Sequence, residues 1–127
     1  RGLVVDFSGS WILPRIIGVQ KAKELMMTAT EINGTTLNDY GVLYKLVEKP
    51  DLDSELNNLV DLLDKQSFIS ICMIKDQIRK GLNTNFDESL SNETENQNSR
   101  FVHSDVMEGM SAFVEKRQPN YKNTLDE

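Results

Sequence analysis

The sequence predicts a mostly helical domain with at most one short strand. Apolar residues recur at three- and four-residue spacing in several windows. Ser, Asp, Asn and Gly stand at the ends of those windows, where helix caps and stops belong. Only "VLYKLVEK" combines β-branched and aromatic residues as a strand does.

In the opening "RGLVVDFSGSWILPRIIG", Asp6 interrupts Leu3, Val4, Val5 and Phe7. Ser8 or Ser10 is suited to cap a short helix over 11–17 by accepting a free backbone N–H. Pro14 is tolerated there only near the first turn, because farther in it loses a hydrogen bond and clashes with the preceding turn. Gly18 breaks the pattern. Val19, Ala22, Leu25 and Met26 then form one face of a second helix, with Lys21, Lys23 and Glu24 opposite. "EINGTT" stops it, Thr35 or Thr36 caps a short helix around "TLNDY", and Gly41 sits where a left-handed residue follows a helix. The strand follows, ended by Pro50.

Asp51 or Asp53 caps the next helix, which stacks Leu52, Leu56, Leu59, Val60 and Leu63 on one face. Another runs from Ser67 through Phe68, Ile71, Cys72, Ile74, Lys75 and Ile78 to Leu82, with Asn83 as its stop. "NFDESLSNETENQNSR" has the composition of a disordered segment, yet Phe86, Leu90 and Phe101 fall near helical spacing, and both readings stand. Ser104 caps a last helix whose apolar face is Val106, Met107, Met110, Phe113 and Val114. Lys116 and Arg117 suit its negative end, and Pro119 closes it.

A length of 127 residues fits one ordinary domain. The net charge of −6 argues against a general nucleic-acid binder, which carries a basic stripe, though a few local lysines or arginines can still hold a phosphate. The lone Cys72 cannot form an internal disulfide and, among apolar neighbours, reads as an inert core thiol; this fits a reducing, cytoplasmic compartment. One histidine, His103, excludes most multi-histidine metal sites. No apolar run is long enough to cross a bilayer, and no signal-peptide pattern appears. Arg1 stands where an initiator methionine would, and "RGLVVDF" reads as mid-element, so a longer protein is expected.

Three stretches together resemble the crotonase superfamily, the enoyl-CoA hydratases and isomerases. "GLVVDFSGSWILPRIIGVQKAKELMMTATEINGTTLNDYGVLYKLVEK" is similar to the family's Gly-Leu-x-Pro-Asp-x-Gly-Gly loop, Leu-Pro-Arg helix, Thr-Gly turn and Gly-Leu-Val strand. "SFISICMIKDQI" resembles its Ser-Pro-x-Ala helix bearing a lysine, and "VMEGMSAFVEKRQPNY" its Glu-Gly-x-x-Ala-Phe-x-Glu-Lys-Arg-x-Pro-x-Phe tail. Val5 departs from the usual proline, Ser8 from the first of two glycines, Ala29-Thr30 from Thr-Gly, and Phe68 from a proline.

The resemblance implies an α+β crotonase-like (ClpP/crotonase) fold, of which residues 1–127 are the mainly helical C-terminal half. The N-terminal β-spiral, adenine loop and oxyanion-hole peptides would lie outside the chain. It also implies an acyl-CoA thioester substrate, no metal or redox cofactor (coenzyme A enters as part of the substrate), a homo-trimer or hexamer, and no nucleic-acid or membrane partner.

Asp6 has two readings. It caps or precedes the "SGSW" helix; or, by resemblance, it occupies the catalytic aspartate position of the isomerase branches. Moving a double bond beside a thioester needs a base at one carbon and an acid at another. Val5 and Phe7 would wall that carboxylate from water, while the helix start favours its charged form. Hydratases often carry glycine there, so aspartate tilts the choice toward isomerase. Gly9 either admits the acyl group close to the backbone or permits the tight turn into the helix.

Phe113 and Lys116, three apart, read as neighbours on one helical face, a core ring and a solvated lysine. By resemblance they instead meet the adenosine end of coenzyme A, with Lys75 as a weaker candidate, and about 104–122 forms a CoA- and subunit-contacting helix. The rival readings are a non-catalytic helical oligomerisation or partner-binding module and a degenerate acyl-CoA binder. Either way, the chain alone is expected to be inactive.

Overall fold

The computed structural model describes residues 2–122, and among them seven α-helices, one 3-10 turn and no strand. They fall into two compact units, divided after Leu52.

In the first unit, α1 (Gly9–Ile17) packs on α2 (Val19–Thr28), with Gly18 at φ 80° between them. α1 begins two residues earlier than its pattern suggests, so Pro14 lies in its second turn and the Ser10 carbonyl loses its usual i+4 donor. Arg15 braces this turn: its guanidinium lies 3.9 Å from the Trp11 ring centroid and donates to the Trp11 carbonyl at 2.8 Å. Ala22 of α2 is the buried residue of its expected face.

The short helix α3 (Gly34–Asp39) is capped by Asn33, whose side-chain oxygen accepts from the Thr36 N–H at 2.9 Å. Neither Thr35 nor Thr36 caps it, because both already lie inside the first turn. Gly41, at φ 72°, follows the helix as its position required. The expected strand does not form. Residues 42–48 have no regular structure, since a strand exists only by pairing with a neighbour and no described segment supplies one. This run lies instead against α3: a Cβ on Gly34 would stand 3.0 Å from Leu46 Cδ1. A 3-10 turn (Lys49–Asp51) follows.

The second unit holds nearly all of α4 (Leu52–Asp64), then α5 (Phe68–Gly81), α6 (Phe86–Arg100) and α7 (Ser104–Glu115). The polar segment resolves as helix α6, packed on α5. Its ends explain why: Asn85 accepts from the Glu88 N–H at 2.9 Å, Asp87 and Glu88 meet the positive end, and Arg100 meets the negative one. α7 is capped by His103, not Ser104, through a ring nitrogen that accepts from the Asp105 N–H at 3.1 Å.

Few apolar side chains are covered. Ala22 and Ala112 are the buried hydrophobic residues among those described. Leu52, Leu56, Val60 and Leu63 of α4 stay about half exposed, as do Phe68, Ile74 and Ile78 of α5. Cys72 is exposed too, which corrects its reading as a core thiol: the α5 face that carries it is not covered by described residues.

Candidate functional site

In the first unit Asp6 opens a tight turn. Its backbone carbonyl accepts from the Gly9 N–H at 2.9 Å, and the two residues between, Phe7 and Ser8, are left-handed at φ 48° and 60°. That backbone also explains why Ser8 does not cap α1: a capping side chain needs an extended residue to aim its oxygen at the first-turn N–H groups. The positive φ angles thus fall on Phe7 and Ser8 and not on Gly9, contrary to the tight-turn role expected of the glycine. Gly9 instead permits close approach, because a Cβ there would stand 2.7 Å from Val5 Cγ1. The expected apolar wall around Asp6 is absent among the described residues: Phe7 is 94% exposed, Val5 42%, and Asp6 itself is exposed.

The other candidates lie in the second unit. Phe113 occupies the last turn of α7 and is 83% exposed, so it is no core ring in this chain. The helix expected over about 104–122 ends at Glu115, because Lys116 turns left-handed, so Lys116 does not continue the helical face. It stands just past the helix at φ 55°, joined to Phe113 only through the backbone, its N–H donating to the Phe113 carbonyl at 3.2 Å. Lys75 is exposed on α5, and its neighbours Arg79 and Lys80 both pair with Asp76, at 2.6 and 2.7 Å. A groove beside α6, lined by Gln77, Leu90, Glu93, Thr94, Gln97 and Asn98, includes none of these residues.

Two polar assemblies were not anticipated. Glu108 on α7 receives both Arg117 terminal nitrogens, at 2.6 and 3.0 Å, together with the Asn120 N–H at 2.6 Å. These bonds, the Arg117 guanidinium first, hold the Glu108 carboxyl well below its usual range, at about 2. The second assembly joins three helix ends. Ser67, before α5, donates to Asp105 at 2.5 Å, and Arg100 at the end of α6 reaches Asp105 at 3.5 Å, Ser67 at 3.4 Å and the His103 Nδ1 at 3.1 Å. Ser67, Arg100 and Asp105 are all buried. Because Nδ1 accepts from both the Asp105 N–H and Arg100, the ring hydrogen belongs on Nε2. Ser67 and Asp105 are 38 residues apart, beyond any local spacing rule. Glu108 and Arg117 both lie in the matched tail, but spacing alone does not pair residues nine apart.

The sequence profile of the enoyl-CoA hydratase/isomerase family matches residues 1–124. The chain belongs to this family. It is 30% identical over 120 residues to the crotonyl-CoA hydratase of Syntrophomonas wolfei subsp. wolfei. It is 31% identical over 120 residues to the trans-2-decenoyl-(acyl-carrier-protein) isomerase of Streptococcus mutans serotype c. Each match covers 94% of this chain and 46% of the relative. The crystal structure of an enoyl-CoA hydratase from Bacillus anthracis aligns with a TM-score of 0.91 at 28% identity, over 97% of this chain and 48% of that one. The chain thus shares part of the crotonase fold and spans about half the length of these family members. No helix among the described residues is long and apolar enough to cross a membrane.

Proposed function

We propose that the chain is the C-terminal half of an enoyl-thioester isomerase acting on acyl-CoA, with Asp6 as its proton carrier. Family membership over residues 1–124 carries this reading, together with an aspartate at the turn into α1 where the resemblance puts the isomerase acid. The Asp6 carboxylate takes a proton from one carbon, and the electron pair moves to the thioester oxygen as an enolate. The proton then returns to a different carbon as the enolate collapses, leaving the double bond displaced. Peptide N–H groups from polypeptide outside this chain would stabilise the enolate oxygen. No metal or redox cofactor takes part, because each step moves only a proton. Phe113 and Lys116 would receive the nucleotide end of coenzyme A, as an exposed ring and an exposed ammonium suit.

The exposed apolar faces of α4, α5 and α7 support packing against further polypeptide in a trimer or hexamer. A cytoplasmic setting completes the proposal.

The test is Asp6→Asn in the natural polypeptide that carries residues 1–127. Isomerase turnover should fall by about three orders of magnitude, the scale of a lost acid–base group, while thioester binding persists. Retained turnover removes Asp6 from the mechanism. Persistent water addition to the double bond, without isomerisation, would make the enzyme a hydratase.

A further inference from the structure

Lysine is an unexpected occupant of position 116. At φ 55° and ψ 39° a side chain crowds the following carbonyl, and glycine ordinarily fills this place after a helix. The hydrogen bonds are those of a Schellman end: the Lys116 N–H donates to Phe113 at 3.2 Å, and the Arg117 N–H to Ala112 at 3.0 Å. Contacts made by the residues just beyond it offset the conformational cost of lysine there. Arg117 is forked onto both oxygens of Glu108, and its Nε donates to Glu115 at 2.6 Å. The Asn120 N–H adds a bond to Glu108. Tyr121 lies over Gly109, where a Cβ would stand only 3.0 Å from the tyrosine oxygen. The chain reversal at 116 is therefore tied on its far side at 117, 120 and 121.

The clasp also separates two adjacent cations. Arg117 is spent between two carboxylates, whereas Lys116 is exposed and forms no ion pair among the described residues. We infer that the Glu108–Arg117 clasp is a positioning device, which holds lysine in a glycine conformation and thereby presents one ammonium, not two cations, to the phosphate-bearing end of the acyl carrier. This rests on the acyl-CoA reading above. It makes Glu108 and Arg117 determinants of carrier recognition, although neither would touch the carrier.

The experiment compares one enoyl group carried on coenzyme A and on pantetheine, which lacks the nucleotide phosphates, using the natural polypeptide that contains residues 1–127. Lys116→Gly should raise the KM for the CoA thioester relative to pantetheine by about tenfold, the worth of one charge-assisted bond, and should raise the melting temperature by removing the left-handed side chain. Glu108→Gln and Arg117→Lys should each raise the same KM ratio severalfold. Arg117→Lys keeps the charge and loses only the fork, so it decides the matter if Glu108→Gln does not fold. If Lys116→Gly shifts the ratio and the folded clasp variants leave it at the wild-type value, the clasp inference is overturned and the acyl-CoA reading survives. If Lys116→Gly leaves it unchanged as well, the lysine–phosphate contact is refuted and the inference fails with it. Absence of turnover on the CoA thioester by the unaltered protein overturns both.

Discussion

Glu108 carries an unusual load for a half-buried carboxylate. One oxygen accepts from both Arg117 and the Asn120 N–H, each at 2.6 Å. Its value of about 2, against an ordinary 4.5, fixes the sign of a pH dependence. A carboxyl whose folded value lies below its unfolded one adds stability that is complete above about pH 4.5 and lost as pH falls through about 2. Acid should therefore release the 117–121 segment within that window, seen as a shift of the Asn120 amide and Tyr121 ring signals by NMR. Glu108→Gln should abolish the step, and a Glu108 titrating near 4.5 would refute the clasp. Single positions also show where sequence reading works. Gly41 was legible because a helix end demands positive φ. Lys116 was not, because lysine carries no such signal.

At the scale of elements, the helices were legible and several of their caps were not. Periodicity fixes a helix by many residues at once, whereas a cap depends on one side chain among several competent neighbours. Asn33 won over Thr35 and Thr36, and His103 over Ser104, by lying one step outside the first turn. The strand failed for a different reason: "VLYKLVEK" has the right side chains, but pairing partners are not a property of the segment itself. The buried tie at the ends of α5, α6 and α7 is an element-scale feature with an energetic consequence. Asp105→Ala leaves Arg100 buried beside no carboxylate and should cost about 3–5 kcal/mol, measured by urea denaturation. Asp105→Asn, which can still accept from Ser67, should cost less. Equal losses for the two would mean that Ser67 contributes nothing.

Over the whole molecule, each unit keeps apolar side chains open among the described residues, Ile12 and Ile16 in the first and Leu56, Val60 and Ile74 in the second. Those open faces account for much of what the sequence does not reveal. Binary pattern marks Leu56, Val60 and Ile74 as apolar-face residues, and they are, but it cannot say whose surface covers them. Family resemblance was legible from end to end, because the tail residues Glu108, Gly109, Ala112, Phe113, Glu115, Lys116, Arg117 and Pro119 match in order. The candidate site was legible as a set of residues and not as a geometry. Asp6 stands at its turn, but no described residue walls it in.

Asp105 serves three helix termini at once, so none of them can loosen independently. Opening at the carboxylate frees the first turns of α5 and α7 together. In deuterated buffer, the Ser70 amide and the Asp105 amide should consequently report one common opening free energy, as members of a single cooperative unit, although they stand 35 positions apart in the chain.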